Sequence, residues 1–257
     1  MKKNIKKISS IIIAIILAIL VIFVAKDNLF DKEKFQSSVS SDKKPASTTI
    51  NQEPKINNDP VQDDVKNGAM ELLEILETDI VLGEKNAPVL LIEYASLSCP
   101  HCAAFYKDGF SKFKEEYLDT GKAALIYRDF PLNKPAFDAS LLALCQVKDK
   151  SKDSKKYYNF IKALFLTQES WAFTEEFSSK LETIAKLDGI SSEEFKECLQ
   201  NEDLQNQILG HRLKASQNLK ISSTPTFFVN GEMISGYGGY GDIKKVIEKE
   251  LEKVNNN

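Results

Sequence analysis

Residues 89–102 read Val89-Leu90-Leu91-Ile92-Glu93-Tyr94-Ala95-Ser96-Leu97-Ser98-Cys99-Pro100-His101-Cys102, an apolar run that ends in a pair of thiols. The first seven form an apolar run of strand length, broken by a single acid, Glu93. Beyond the second cysteine, Tyr106, Phe110, Phe113 and Tyr117 recur at helical spacing. A buried strand therefore turns into a helix, with two thiols at the junction. Thiols separated by two residues close a small disulfide ring or hold a metal. Cys99 falls at the helix N-terminus, where unpaired N–H groups and the macrodipole favour a thiolate over a thiol. This points to redox chemistry at a strand–helix junction.

Outward from the junction the pattern stays regular. Val65–Glu77 carries Met70, Leu72, Leu73, Ile75 and Leu76 and predicts a short helix. Thr78–Leu82 reads as a brief edge strand ending at Gly83, and Asn86-Ala87-Pro88 as a turn. Gly109, inside the helix after Cys99, is expected to kink it. Ala123–Arg128 is a second buried strand, stopped by Pro131. Strand, helix and strand at this spacing predict a βαβ unit with parallel strands. From about Leu132 to Asn218 the spacing is helical, over Ala136–Val147, Ser154–Leu166, Thr174–Leu187, Ser192–Leu199 and Leu204–Asn218. Ser191-Ser192-Glu193-Glu194 is a capping box. Strand signals return at Thr226–Val229, Asn230-Gly231 is a hairpin turn, and Glu232–Ser235 is the return strand. A glycine-rich loop, Gly236–Gly241, leads into a last amphipathic helix. The order predicts one α/β domain, residues 67–130 and 219–257, interrupted by a helical insertion, 131–218. Its two parts are long enough for a small four- or five-stranded sheet.

The chain of 257 residues has a net charge of −3, and no basic surface argues for nucleic acid. Its ends differ from its middle. Lys2, Lys3, Lys6 and Lys7 precede Ile11–Ala25, an unbroken apolar run. A basic region followed by such a run is an export signal. Residues 1–25 read as a cleaved signal peptide or as an N-terminal anchor, in contact with the membrane during export or afterwards. Both readings place the remainder outside the cytoplasm, in the periplasm, because the lysines stay inside. Without those four lysines the net charge of −3 becomes −7, which favours solubility. Residues 26–66, rich in Lys, Asp, Asn, Ser, Thr and Pro, read as a disordered polar linker. In an oxidising compartment a C-x-x-C pair is a redox centre more often than a zinc site.

The C-P-H-C motif after a buried strand, the helical insertion, and Ser223-Thr224-Pro225-Thr226-Phe227-Phe228-Val229-Asn230-Gly231 together resemble the DsbA family of thiol:disulfide oxidoreductases. The resemblance covers roughly Thr78 to Val254 in order and spacing. It implies a thioredoxin fold with an inserted helical domain. It also implies export, a role in introducing disulfides into reduced exported clients, and a membrane partner that restores the oxidised state. No cofactor is implied, since the sulfurs carry the electrons. By position, Cys99 matches the exposed nucleophile and Cys102 the buried resolving cysteine. Pro100 and His101 match the dipeptide that tunes their balance, and a Pro-His pair resembles the oxidising members. Pro225 matches a cis-proline opposite the disulfide, with Thr224 just before it. Glu93 matches a buried acid beneath the site, whereas Tyr106 stands where some members carry a second acid.

His101 is expected to give the Cys99 thiolate a hydrogen bond or positive charge. Glu93, if buried, should have a raised pKa and exchange a proton near Cys102; the bland alternative is an exposed edge position or an ion pair. His211 reads as a helix-surface residue, and Trp171 has no assignment. Gly236–Gly241 lacks a phosphate-loop lysine and reads as a flexible loop. Phe105, Phe110 and Phe113 read as core. Cys145 and Cys198 lie on separate helices, and an even cysteine count in an oxidising compartment favours a structural disulfide over two buried thiols. Three activities compete: an oxidase of protein thiols, a reductase or isomerase, and a metal-binding module. A zinc site needs four ligands, and only one C-x-x-C and a distant His211 are present.

Overall fold

The computed structural model describes residues 68–256. The expected signal or anchor at 1–25 and linker at 26–66 lie outside them. Five strands, β1 (Val81–Gly83), β2 (Val89–Ala95), β3 (Ala123–Asp129), β4 (Thr226–Val229) and β5 (Glu232–Ser235), make one sheet in the order β1-β3-β2-β4-β5. β2 and β3 run parallel, with Glu93 opposite Tyr127 and Ala95 opposite Asp129. The other neighbours pair antiparallel. Asn230 and Gly231 both take positive φ, 46° and 88°, as a two-residue hairpin requires. The Asn230 side chain also bonds Leu90 N at 2.8 Å and Pro88 O at 3.0 Å, tying the hairpin to the start of β2.

The helix after the cysteines, α1 (residues 100–118), begins as Pro100–Ala104 and contains two π-helical turns, Phe105–Gly109 and Lys114–Leu118. The distortion expected at Gly109 takes this form rather than a kink. A Cβ there would sit 2.5 Å from the Tyr237 hydroxyl, which bonds Asp108. Glycine thus lets a tyrosine from the loop after β5 close on the widened turn.

The insertion comprises α2 (Lys134–Cys145), α3 (Ser154–Leu166), α4 (Gln168–Trp171), α5 (Phe177–Leu187), α6 (Ser192–Leu199) and α7 (Glu202–Asn218); α8 (Tyr240–Asn255) follows the hairpin. Asn133 and Asn201 cap α2 and α7, each accepting a backbone N–H at 3.0 Å. Ser191 and Glu194 form both halves of the capping box. A disulfide joins Cys145 to Cys198, with Cα atoms 5.6 Å apart.

One hydrophobic core runs from Leu91 and Tyr127 of the sheet, through Phe105 and Phe113 of α1, to Tyr157, Trp171, Leu181 and Phe195 of the insertion. Trp171 is therefore a core residue. The opposite sheet face buries Ile92, Tyr94, Ile126 and Phe228 against Ala215 and Ile221. Among the described residues, no helix is long and apolar enough to cross a membrane.

Two expectations need correction. Of the helix expected over Val65–Glu77, residues 65–67 lie outside the described chain; among residues 68–77 one helical turn forms, at 68–71, and the chain then proceeds by turns. Arg128 takes the carbonyls a longer helix would use: its guanidinium donates to Leu72 O at 2.5 Å and Glu74 O at 2.6 Å. It also pairs with Asp79 through two bonds, 3.0 and 2.6 Å long, with both side chains buried. His211 is not a bland surface group, because it is partly buried and its Nε2 lies 3.2 Å from Thr78 Oγ1.

Candidate active site

Cys99 is the N-cap of α1, in an extended conformation with φ −85° and ψ 121°. Pro100 takes the first helical position, where its fixed φ fits and no N–H is needed. Cys102 is three residues on and lies inside the core. Both cysteines are free thiols in this structure. Cys99 is more enclosed than an exposed nucleophile should be, with 6% of its surface accessible against none for Cys102. The reason is the loop before β4. The Thr224–Pro225 peptide bond is cis, and the Cys99 thiol donates to Thr224 O at 3.2 Å. Pro100 and His101 are exposed beside it.

The two thiols are driven apart in acidity. Cys99 is lowered to about 5. The largest cause is a hydrogen bond from the Cys102 thiol, which outweighs the opposing effect of burial; Thr224 and the backbone N–H groups of Cys102 and His101 add to it. The Thr224 hydroxyl is buried and has no other partner. Cys102 is pushed well above the ordinary range, first by burial, then by its bond to Cys99 and by the Glu93 charge. The His101 backbone N–H supports the sulfur, and its side chain is exposed beside the thiol pair.

Glu93 is fully buried. Its Oε2 accepts a hydrogen bond from the Tyr106 hydroxyl at 3.1 Å, and its Oε1 has no partner. Burial, far more than the nearby Cys99 charge, raises its pKa to about 8. The edge or ion-pair alternative is thereby removed. Tyr106 touches the acid directly, itself buried and stacked on Phe165 at 4.4 Å between ring centroids.

Two buried polar residues near the site were not singled out from sequence. Asp129, two residues beyond Tyr127 on the same strand face, has an unpartnered Oδ1. Burial raises it to about 6, against hydrogen bonds to Ser140 and Tyr127 that lower it. An acid ending an apolar strand was the available signal. Gln168 bonds the loop carrying Cys99; nothing in a four-residue helix marks it beforehand. Among the described residues, no three His, Cys, Asp or Glu side chains gather as a metal site.

The fold that carries this site has known counterparts. A family model described as thioredoxin matches residues 76–249. The crystal structure of Wolbachia pipientis alpha-DsbA1 superposes with a TM-score of 0.64 and 34% identity, covering 72% of this chain and 96% of that one. The chain belongs to the DsbA family of thioredoxin-fold proteins. Within that family it is 31% identical over 198 residues to a proposed protein-disulfide oxidoreductase of Rickettsia conorii, spanning 76% of this chain and 69% of the relative. It spans 64% of the corresponding proteins of Rickettsia typhi and Rickettsia prowazekii. Disulfide bond formation protein D of Bacillus subtilis is 28% identical over 176 residues, 67% of this chain and 78% of that protein. The DsbA-type architecture, a thioredoxin fold with a helical insertion, is the one expected from the sequence.

Proposed function

We propose that this DsbA-family chain is an oxidase of protein thiols, acting through the Cys99–Cys102 pair on reduced exported proteins. One observation carries the reading: Cys99 caps the start of α1 with its sulfur against the Thr224 loop while Cys102 lies inside the core, an arrangement that lowers the first thiol and raises the second. Such a pair is stabilised when reduced, so its disulfide is readily given away.

In the oxidised form a client thiolate attacks Cys99 Sγ, and the Cys99–Cys102 bond breaks as the mixed disulfide forms. Cys102 leaves as a thiolate and takes a proton. Glu93, protonated at neutral pH, is the buried group suited to supply it. A second client thiolate then attacks the client sulfur. Cys99 leaves as a stable thiolate, the client keeps the new disulfide, and two electrons have passed to the enzyme. A membrane partner that accepts those electrons completes the cycle, and the basic, apolar N-terminus fits export to the periplasm, with cleavage or anchoring.

The test is the equilibrium of Cys99–Cys102 with glutathione, paired with oxidative refolding of reduced ribonuclease A. An oxidase gives a disulfide far easier to reduce than a structural one and oxidises the client stoichiometrically. A pair that resists reduction, or that only reshuffles scrambled ribonuclease, establishes the reductase or isomerase alternative. Stoichiometric zinc by mass spectrometry would establish the metal-binding alternative.

A further inference from the structure

The α4 turn reaches from the insertion to the active-site loop. Gln168, its first residue, is 2% exposed. Its Nε2 donates to Leu97 O at 2.8 Å and to Cys99 O at 3.0 Å. Two carbonyl acceptors fix which end of the carboxamide faces the loop. Both carbonyls belong to a turn closed by Cys99 N–H to Ser96 O at 2.9 Å. The turn's anchorage is firm on its own side. Trp171 is buried and donates through Nε1 to Leu164 O at 3.0 Å.

The Cys99 carbonyl also accepts Ala103 N–H at 3.1 Å, the bond that opens α1. One oxygen is thus held from two directions, by the helix and by the insertion. The backbone of Cys99 fixes its Cα–Cβ direction. That direction decides whether the sulfur meets the N–H groups of His101 and Cys102 and the Thr224 loop.

We propose that Gln168 is a positioning residue for Cys99: its carboxamide lets the helical insertion hold the sulfur in register with the donors at the start of α1. Gln168 touches no reacting atom and works through the Leu97 and Cys99 carbonyls of the Ser96–Cys99 turn. The insertion therefore does more than cover the sheet, because it sets how strongly the reduced pair is favoured. This inference rests on the reading of Cys99 as the attacked sulfur.

The test uses Gln168→Met, which keeps length and burial but has no donor. The Cys99 thiolate is followed by absorbance at 240 nm in the reduced protein against pH, and the pair is equilibrated with glutathione. The midpoint should rise by about half to one pH unit, and the equilibrium should move three- to tenfold toward the disulfide. The wild-type midpoint and equilibrium in Gln168→Met, whatever its melting temperature, would overturn the inference. Should Gln168→Met fail to fold, Gln168→Asn, too short to reach both carbonyls, is read the same way. A wild-type midpoint near that of free cysteine would sink the oxidase reading itself. A low wild-type midpoint that Gln168→Met leaves in place sinks only the role of Gln168.

Discussion

The Tyr106 hydroxyl donates to Glu93 Oε2 at 3.1 Å, and neither group reaches solvent. A single neutral donor does not offset the cost of burying a carboxylate, so Glu93 stays protonated up to about 8. The folded state holds this proton more tightly than the unfolded one. Its contribution to stability is full below about 4.5 and is lost as pH rises toward about 8. Glu93→Gln removes that slope and keeps an acceptor for Tyr106. Relative to wild type the variant should gain on the order of 5 kcal/mol across the window, as an upper figure. Urea unfolding of both oxidised proteins at pH 5 and pH 8.5 measures it. Parallel pH profiles would contradict the assignment.

Cys99 has the opposite sign. Its folded pKa is lowered, so the reduced protein carries a stabilisation that is full above the ordinary thiol range and disappears as pH falls through about 5. The stability of the reduced form minus that of the oxidised form should therefore rise between pH 5 and pH 9. Cys99→Ser should remove the absorbance step and abolish exchange. Cys102→Ala should trap mixed disulfides and move the Cys99 midpoint upward, because the Cys102 thiol is the largest lowering influence. An unmoved midpoint would show that the helix start alone sets it.

Arg128→Met should cost about 3–5 kcal/mol in urea unfolding, since it leaves the buried Asp79 carboxylate without its counter-charge and with only the Leu76 N–H. Arg128→Lys should recover little, because an ammonium cannot form the two-bond fork to Asp79 while also reaching Leu72 O and Glu74 O. The Cys99 titration should be untouched in both, because Arg128 lies opposite Tyr94, on the sheet face away from Glu93.

Replacing Cys145 and Cys198 together by alanine reopens a loop with a sequence separation of 53. The chain-entropy model then gives a loss of about 4 kcal/mol. Thermal unfolding under oxidising conditions checks it, and a much smaller loss would mean that the bridged helices are already held by packing.

The parts legible from sequence are those whose cause is local. Ser154–Leu166 and Ser192–Leu199 have strong periodicity, the second with its cap, and both fall where expected. Glu93 stood out as a lone acid in an apolar run, and its burial follows from the strand being covered on both faces. The rest has distant causes. The helix expected at Val65–Glu77 is overridden by Arg128, 56 residues beyond the carbonyl of Leu72. His211 meets Thr78 across 133 residues, and the wide turn at Gly109 accommodates Tyr237 from the far end of the chain. Gln168–Trp171 is too short to show a period, so its carboxamide becomes visible only once the loop folds against it.

The Arg128 bonds to Leu72, Glu74 and Asp79 also have a mechanical meaning. The chain enters the sheet through this segment. Tension applied upstream of residue 68 is taken up by a cluster of buried bonds on the sheet's other face before it can reach β2, the strand that leads to Cys99. A protein tugged from that end would yield first at its entry point, leaving the sulfur pair aligned.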